Sequence, residues 1–480
     1  MPPASRLIRR FFCSLPVVML TLCAGSYVYA ESGPVAPSVE RKPSAIANAQ
    51  TGPSMTMDEA IRIGIRNHPL IERARQSLLI AKALTRLREG ERYPWLDASV
   101  AGAAGAMRIV GSDGQILHDA GGHGFNPGGG LPHHNQNMVS GGLLLNQLIT
   151  NFGYTAHRIL AAEATEAAGE KEIQTHKAFV ILNVQKAYLD CLLQHNLVSI
   201  AAETLKRRLV VRDQIEALYR RQLKSKLDLD LLLVEVSSAE LSLIRARNEY
   251  QRAFASLLNA MGTDRTDRFE LKPVAIVVTP PPPIEALVVL GLNDRPELLG
   301  NRDRISASRE LLQAVKSQHF GSLSAVGSIG MTQYGTVHDD GIPPDGGAPF
   351  WGFGATMQLP LFTGFRIQSQ AKEADHRKGE TEEELNMLAN DIVLQIVRAS
   401  LTNTTNAEQI ALEEERVALA SSALQLAQER YRLGLSPIVE VVRATEMLFE
   451  SESRLAEARY IYKTSESLIA YATGQDYKRY

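Results

Sequence analysis

The chain has 480 residues, enough for two or three ordinary domains or for one very elongated one. Its 51 Lys and Arg against 53 Asp and Glu exclude the basic footprint of a nucleic-acid binder, and a charged fraction of 22% excludes disorder as the global state. Aromatics are sparse at 6%, whereas Ala, Leu, Glu, Arg and Gln recur in long runs, which favours helix.

Residues 1–30 read as a secretory signal peptide. Arg6, Arg9 and Arg10 precede the apolar run FFCSLPVVMLTLCAG, and Val28 and Ala30 hold the small-residue positions before a cleavage point. The run is short for a transmembrane helix. Lipoprotein processing at Cys23 is the alternative, which the bulky Leu22 disfavours. With cleavage after Ala30, Cys191 is the only cysteine left and no internal disulfide can form. Residues 31–54, rich in Pro, Ser and Ala and lacking an apolar period, read as an extended leader.

From Met55 onward the chain repeats itself. IRNHPLIERARQSLLIAKAL, from Ile65, matches LNDRPELLGNRDRISASREL, from Leu292, with Pro69 and Pro296 at an offset of 227. Tyr219, Tyr250 and Gly262 match Tyr431, Tyr462 and Gly474 at an offset of 212. Each copy is expected to run helix, strand, loop, strand, very long helix, tight turn, long helix. The first copy spans 55–262, with a β-hairpin at 94–150 and a helix tip at 221–227. A Pro-rich linker at 263–283 follows. The second copy spans 284–474, with a hairpin at 321–362 and a tip at 432–437, before a tail at 475–480.

The descending segments, Gly153 to Tyr219 and Arg366 to Tyr431, contain no proline. As continuous helices they would each reach roughly 100 Å, a length that builds a rod or tube. The returning segments carry heptads. Val441, Leu448, Leu455, Tyr462 and Ile469 recur every seven residues beside Ala444, Ser451, Ala458, Ser465 and Ala472. Leu229, Val236, Leu243, Tyr250 and Leu257 do the same in the first copy. Large residues on one seam and small ones on the other specify close-packed, supercoiling helices.

Four segments alternate with period two: about 95–107, 139–149, 323–334 and 350–362. Each is long enough to cross a bilayer when tilted. Tyr93, Trp95, Phe320, Phe350, Trp351 and Phe362 lie near the strand ends, where membrane-interface aromatics belong. Backbone groups in hydrocarbon must all be paired, so such a sheet has to close. The smallest closed barrels need about eight strands, and four must therefore be completed by other copies of the chain. The alternative is a small water-soluble sheet capping a coiled-coil rod.

MTMDEAIRIGIRNHPLI, the paired NQLITNFG and LPLFTGFR, and RYRLGLSPIVEVVRATEMLFESESRLAEARYIYKTSESLIAYATG together resemble the TolC-type outer-membrane efflux proteins, from about Met55 to Gly474. The resemblance implies a mainly α fold with a small β part: a homotrimer with a twelve-stranded transmembrane β-barrel above a periplasmic α-barrel. It implies an exit duct in the outer membrane of a Gram-negative bacterium. A periplasmic adaptor would join the duct to an inner-membrane transporter, and neither nucleic acid nor a cofactor is involved. No nucleotide-binding loop, nucleophile elbow or metal-ligand pattern appears in the sequence, so no enzymatic activity is expected.

The same resemblance marks the tips as adaptor contacts: Gly434, Leu435 and Ser436 in the second, and Leu223, Lys224 and Ser225 in the first, where Gln222 replaces the family glycine. Glu440 and Asp228 fall at corresponding positions where relatives narrow the pore. Arg443 stands where the family has a second acid, leaving open an intersubunit Glu–Arg lock or an ordinary charged surface. His118, His123, His133 and His134 share one loop without regular metal-ligand spacing, which favours a plain outer loop. The alternatives to an efflux duct are the exit duct of a type I protein-secretion system and, in another class, a periplasmic coiled-coil adaptor or scaffold.

Overall fold

The computed structural model describes residues 54–106, 135–263, 269–280, 282–336 and 346–480. The expected signal peptide, Cys23, the leader up to residue 53 and the four loop histidines lie outside the described residues.

The elements are β1 (Ser54–Met55), α1 (Met57–Asn67), α2 (Pro69–Gly90), β2 (Trp95–Ala106), β3 (Asn135–Thr150), α3 (Tyr154–Arg220) and α4 (Lys226–Ala260), then β4 (Glu270–Leu271), α5 (Ile284–Asp294), α6 (Pro296–Ser317), β5 (Ser322–Thr336), β6 (Gly346–Gln358), α7 (Arg366–Arg432), α8 (Ile438–Ala472) and α9 (Asp476–Arg479). The two copies match helix for helix. α1 and α5 have 11 residues each, α2 and α6 22, α3 and α7 67, α4 and α8 35.

Proline explains why each copy opens with two helices instead of one. The residue before a proline is pushed out of the helical region. His68 and Arg295 accordingly take ψ values of 125° and 123°, and Pro69 and Pro296 start the next helix. Each copy also ends on a left-handed glycine pressed against that break. Gly262 has φ +61°, and a Cβ there would sit 2.7 Å from the His68 Cα; Gly474 has φ +69°, and a Cβ would sit 3.0 Å from the Asp294 carbonyl oxygen.

The helical seams hold as the heptads require. Ala444, Ser451, Ala458, Ser465 and Ala472 are all buried, and Val441, Leu448 and Tyr462 are buried beside them. On the facing helix Ile396, Asn403, Ile410 and Leu424 are buried. Asn403 Nδ2 donates to Ser465 Oγ at 2.9 Å, where the first copy has buried Cys191 and Ala253 instead. Burial pushes the Cys191 thiol up to about 12, so it behaves as an inert packing residue.

Two features depart from the sequence expectations. Ser54, placed at the end of the leader, and Glu270–Leu271, placed in the linker, form a short parallel sheet, with Ser54 opposite Glu270 and Met55 opposite Leu271. Two-residue strands carry no readable period. Tyrosines fasten these segments to the helices. The Tyr188 hydroxyl lies 2.9 Å from the Met55 carbonyl oxygen and 2.8 Å from that of Lys272, and burial pushes its pKa up to about 12. The Tyr462 hydroxyl donates to the Thr279 carbonyl and accepts its N–H at 2.9 Å.

The fourth strand is also displaced, covering Gly346–Gln358 rather than 350–362. Its last residue, Gln358, pairs with Ser322, the first residue of β5. Beyond it Pro360 has no N–H to offer a ladder. On the other side the chain enters β5 through Gly321, where a Cβ would lie 2.1 Å from the Gln358 carbonyl oxygen.

Because Tyr462 satisfies both backbone groups of Thr279, Tyr462→Phe should lower the unfolding free energy by about 1–3 kcal/mol, read from the denaturant midpoint of the purified protein.

Candidate functional site

The four strands form one sheet in the order β2-β3-β5-β6, all antiparallel. Residues directly opposite across a ladder share a face. The register puts Trp351, Ile329, Leu143 and Ala98 in one row, and Phe353, Gly327, Leu145 and Leu96 in the next. Phe353 is 88% exposed and Trp351 78%. The other face is mixed, with Asp97, Ser99, Asn146, Ser324 and Ser328 beside Leu144, Leu148 and Val326. One side of the sheet is therefore apolar and bare, the other more polar. No helix among the described residues is long and apolar enough to cross a membrane.

The register also sorts the predicted interface aromatics. Trp95 shares its row with Asn146, Val326 and Gly354, and Phe350 shares its row with Gly330, Gly142 and Ser99. Both lie on the face opposite Trp351. Trp351 itself lies well inside its strand, because β6 begins four residues earlier than its pattern indicated. Tyr93, 70% exposed, precedes β2. Phe320 and Phe362 flank the helix-side ends of β5 and β6. Each has a phenylalanine neighbour that the sequence reading passed over: Phe152 lies 6.2 Å from Phe320, and Phe365 lies 5.8 Å from Phe362 between ring centroids.

Phe152 and Phe365 also turn the chain from strand into helix. Phe152 and Gly153 have φ +54° and +100°, and Gly364 and Phe365 have φ +59° and +62°. Two consecutive left-handed residues thus open each 67-residue helix. A phenylalanine held there costs on the order of 1 kcal/mol, offset by ring packing against its neighbour.

At the far ends of these helices lie the tips. In the second, Gly434 takes φ +75°, and the Leu435 N–H donates to the Arg430 carbonyl at 2.8 Å, closing the helix end. Leu435 is 68% exposed, whereas the Ser436 hydroxyl is buried without a hydrogen-bond partner among the described residues. Pro437 is the residue before α8 rather than its first residue. The first tip makes the same turn with Gln222 at φ +57°, the Leu223 N–H reaching the Leu218 carbonyl. Ser225 caps α4 by accepting the Asp228 N–H. Lys224 sits 4.0 Å over the ring of Tyr431, joining one tip to the descending helix of the other copy. Burial, then the nearby Asp228 charge, pushes the Tyr431 phenol up to about 12.

Within one chain Glu440 does not meet Arg443. Its carboxylate lies 3.8 Å from Arg430, both groups being about half exposed, a geometry that contributes little. Arg443 is exposed and forms no ion pair among the described residues.

The sequence reading also missed a charged cross-brace several turns above the tips. Arg208 of α3 is buried, and its guanidinium reaches the Glu235 carboxylate of α4 at 3.0 Å and Glu446 of α8. Adjacent Arg207 reaches Glu452 at 3.2 Å. The one signal was a pair of arginines inside an apolar seam. Beside them, between α3 and α7, opens a groove of about 550 Å³ lined by Lys206, Val210, Leu218, Lys224, Tyr431 and Arg432.

A family model described as outer membrane efflux protein matches residues 61–263 and 287–475, most of the chain. Outer membrane protein TolC of Salmonella enteritidis is 27% identical over 356 residues, covering 71% of this chain and 70% of that protein. Outer membrane protein OprJ of Pseudomonas aeruginosa is 24% identical over 475 residues, covering 92% and 91%. The crystal structure of a membrane protein from Pseudomonas aeruginosa superposes with a TM-score of 0.74 at 19% identity, over 91% of this chain and 96% of that one.

Since Gln222 holds a left-handed backbone that glycine adopts without strain, Gln222→Gly should raise the unfolding free energy by about 1 kcal/mol, measured as a shift in the denaturant midpoint.

Proposed function

The chain belongs to the outer membrane efflux protein family, and from that premise we propose that it is the passive, non-enzymatic duct of a three-part export machine. It is an outer-membrane channel of TolC-like fold. In the proposed machine a periplasmic adaptor couples it to an inner-membrane transporter that supplies the energy.

The observation that carries the proposal is the sheet with one bare apolar face and unclosed sides. A homotrimer supplies the missing strand partners, and the helices carry matching unpartnered stripes. Leu412, Leu419, Leu426 and Leu433 recur every seven residues on α7 and its end, all more than half exposed. Leu227, Val234 and Leu241 do the same on α4. Each stripe lies two residues before or after its intrachain seam, roughly 200° around the helix, so it faces away from the partner within the chain. Packing α7 of one copy against α4 of the next covers both. Leu419→Lys should therefore weaken the assembly, and its oligomer should dissociate at a lower temperature than the wild type in detergent. Unchanged dissociation would remove this seam from the interface.

The adaptor surface is assigned to the tips, Leu223, Lys224 and Ser225 with Gly434, Leu435 and Ser436, and to the groove above them. In a trimer Glu440 repeats as three carboxylates around the axis, a ring that favours cations, with Asp228 and Arg443 nearby. Glu440→Ala should lower the cation preference of single channels in planar bilayers. Unaltered selectivity and conductance would make Glu440 an ordinary solvated charge.

A further inference from the structure

Residues 475–480 extend beyond the repeat, yet they are tied to both α1 and α5. The Tyr480 hydroxyl donates to the Asp58 carboxylate of α1. The Tyr477 hydroxyl donates to the Asp294 carbonyl at the end of α5, and Lys478 pairs with the Asp294 carboxylate at 2.9 Å. Tyr480 also packs on the core formed by α1, α3 and α4. The segment thus straps the first copy to the second.

One group in this strap is in the wrong state for its surroundings. Asp476 faces Gln185 of α3, its hydrogen-bond partner. The Asp476 Oδ2 and Gln185 Oε1 atoms are nevertheless both buried without a hydrogen-bond partner among the described residues. Two buried acceptors left bare mark a place that lacks a donor, because a buried polar atom without a partner is destabilising. The other charged and titratable groups nearby do not supply one. Arg479, on the same element as Asp476, acts only through its charge. Asp58 is taken by Tyr480, and Asp294 by Lys478. From α8, Tyr471 is engaged with Glu297.

We propose that residues 475–480 are a strap fastened by a proton. Uptake of one proton by the Asp476 carboxylate turns a bare acceptor into a hydroxyl donor and seats the strap on α3; loss of that proton leaves a buried charge and lifts the strap. The electrostatics agree in sign. Burial pushes the Asp476 carboxyl up to about 6, against smaller opposing pulls from Gln185 and Arg479. A carboxyl raised in the docked state binds its proton more tightly there. Docking is therefore strongest in acid and declines as the pH rises through about 6, by roughly tenfold between pH 5 and pH 8.

The test is amide hydrogen exchange of residues 475–480 in the protein in detergent, at several pH values. Rates are divided by those of Asp476→Asn, which stays neutral throughout and absorbs the intrinsic pH dependence of exchange. The expected ratio of wild type to variant rises about tenfold from pH 5 to pH 8, with a midpoint near 6. Asp476→Ser, which also lacks the carboxylate, should give a flat ratio against Asp476→Asn. It keeps the test decisive if the asparagine variant assembles poorly. A wild-type ratio that does not change with pH, or one that changes equally in the serine variant, overturns the proposal.

Discussion

Backbone amides immersed in hydrocarbon have no water to turn to, and every other large feature of this chain answers to that fact. The sheet presents Trp351, Phe353, Leu143 and Leu96 on one bare face, while β2 and β6 stand at its sides. Such a sheet is tenable in an outer membrane only when further strands continue it. The helices inherit the requirement. In the proposed assembly a closed ring of strands stands on a closed ring of helices, and the exposed leucines of α4 and α7 are the faces that one sector would offer its neighbours.

Much of this was legible in the sequence because it is periodic. Val441, Leu448 and Tyr462 with their small neighbours announce a seam every seven residues, and the structure buries them. The duplication was legible from Pro69 and Pro296, and it extends to equal helix lengths. Strand faces were legible from alternation, but strand ends were not. That misplaced Trp351, and closeness to a strand end does not fix a face: Trp95 and Phe350 lie on the side opposite Trp351.

The unread remainder is of another kind. Arg208 with Glu235 and Glu446, Lys224 over Tyr431, and Tyr188 on Met55 and Lys272 join residues far apart in the chain. No local pattern marks a partner that distant. Paired left-handed residues were hidden for a different reason: Phe152 and Phe365 occupy a conformation that propensity assigns to glycine, and they pack there against Phe320 and Phe362. The two copies have also drifted where close packing permits. Asn403 bonds Ser465 where Cys191 meets alanine, and Gln222 does what Gly434 does more easily.

The identical lengths of corresponding helices carry an evolutionary implication. A descending helix of 67 residues runs beside a shorter helix at each end, one of 22 and one of 35, in both halves of the chain. Removing a single residue from one of them would rotate everything beyond it by roughly 100° and swing its small side chains out of contact. Shorter or longer descendants can therefore arise only by excising or adding whole heptads, at one level, from all the neighbouring helices together.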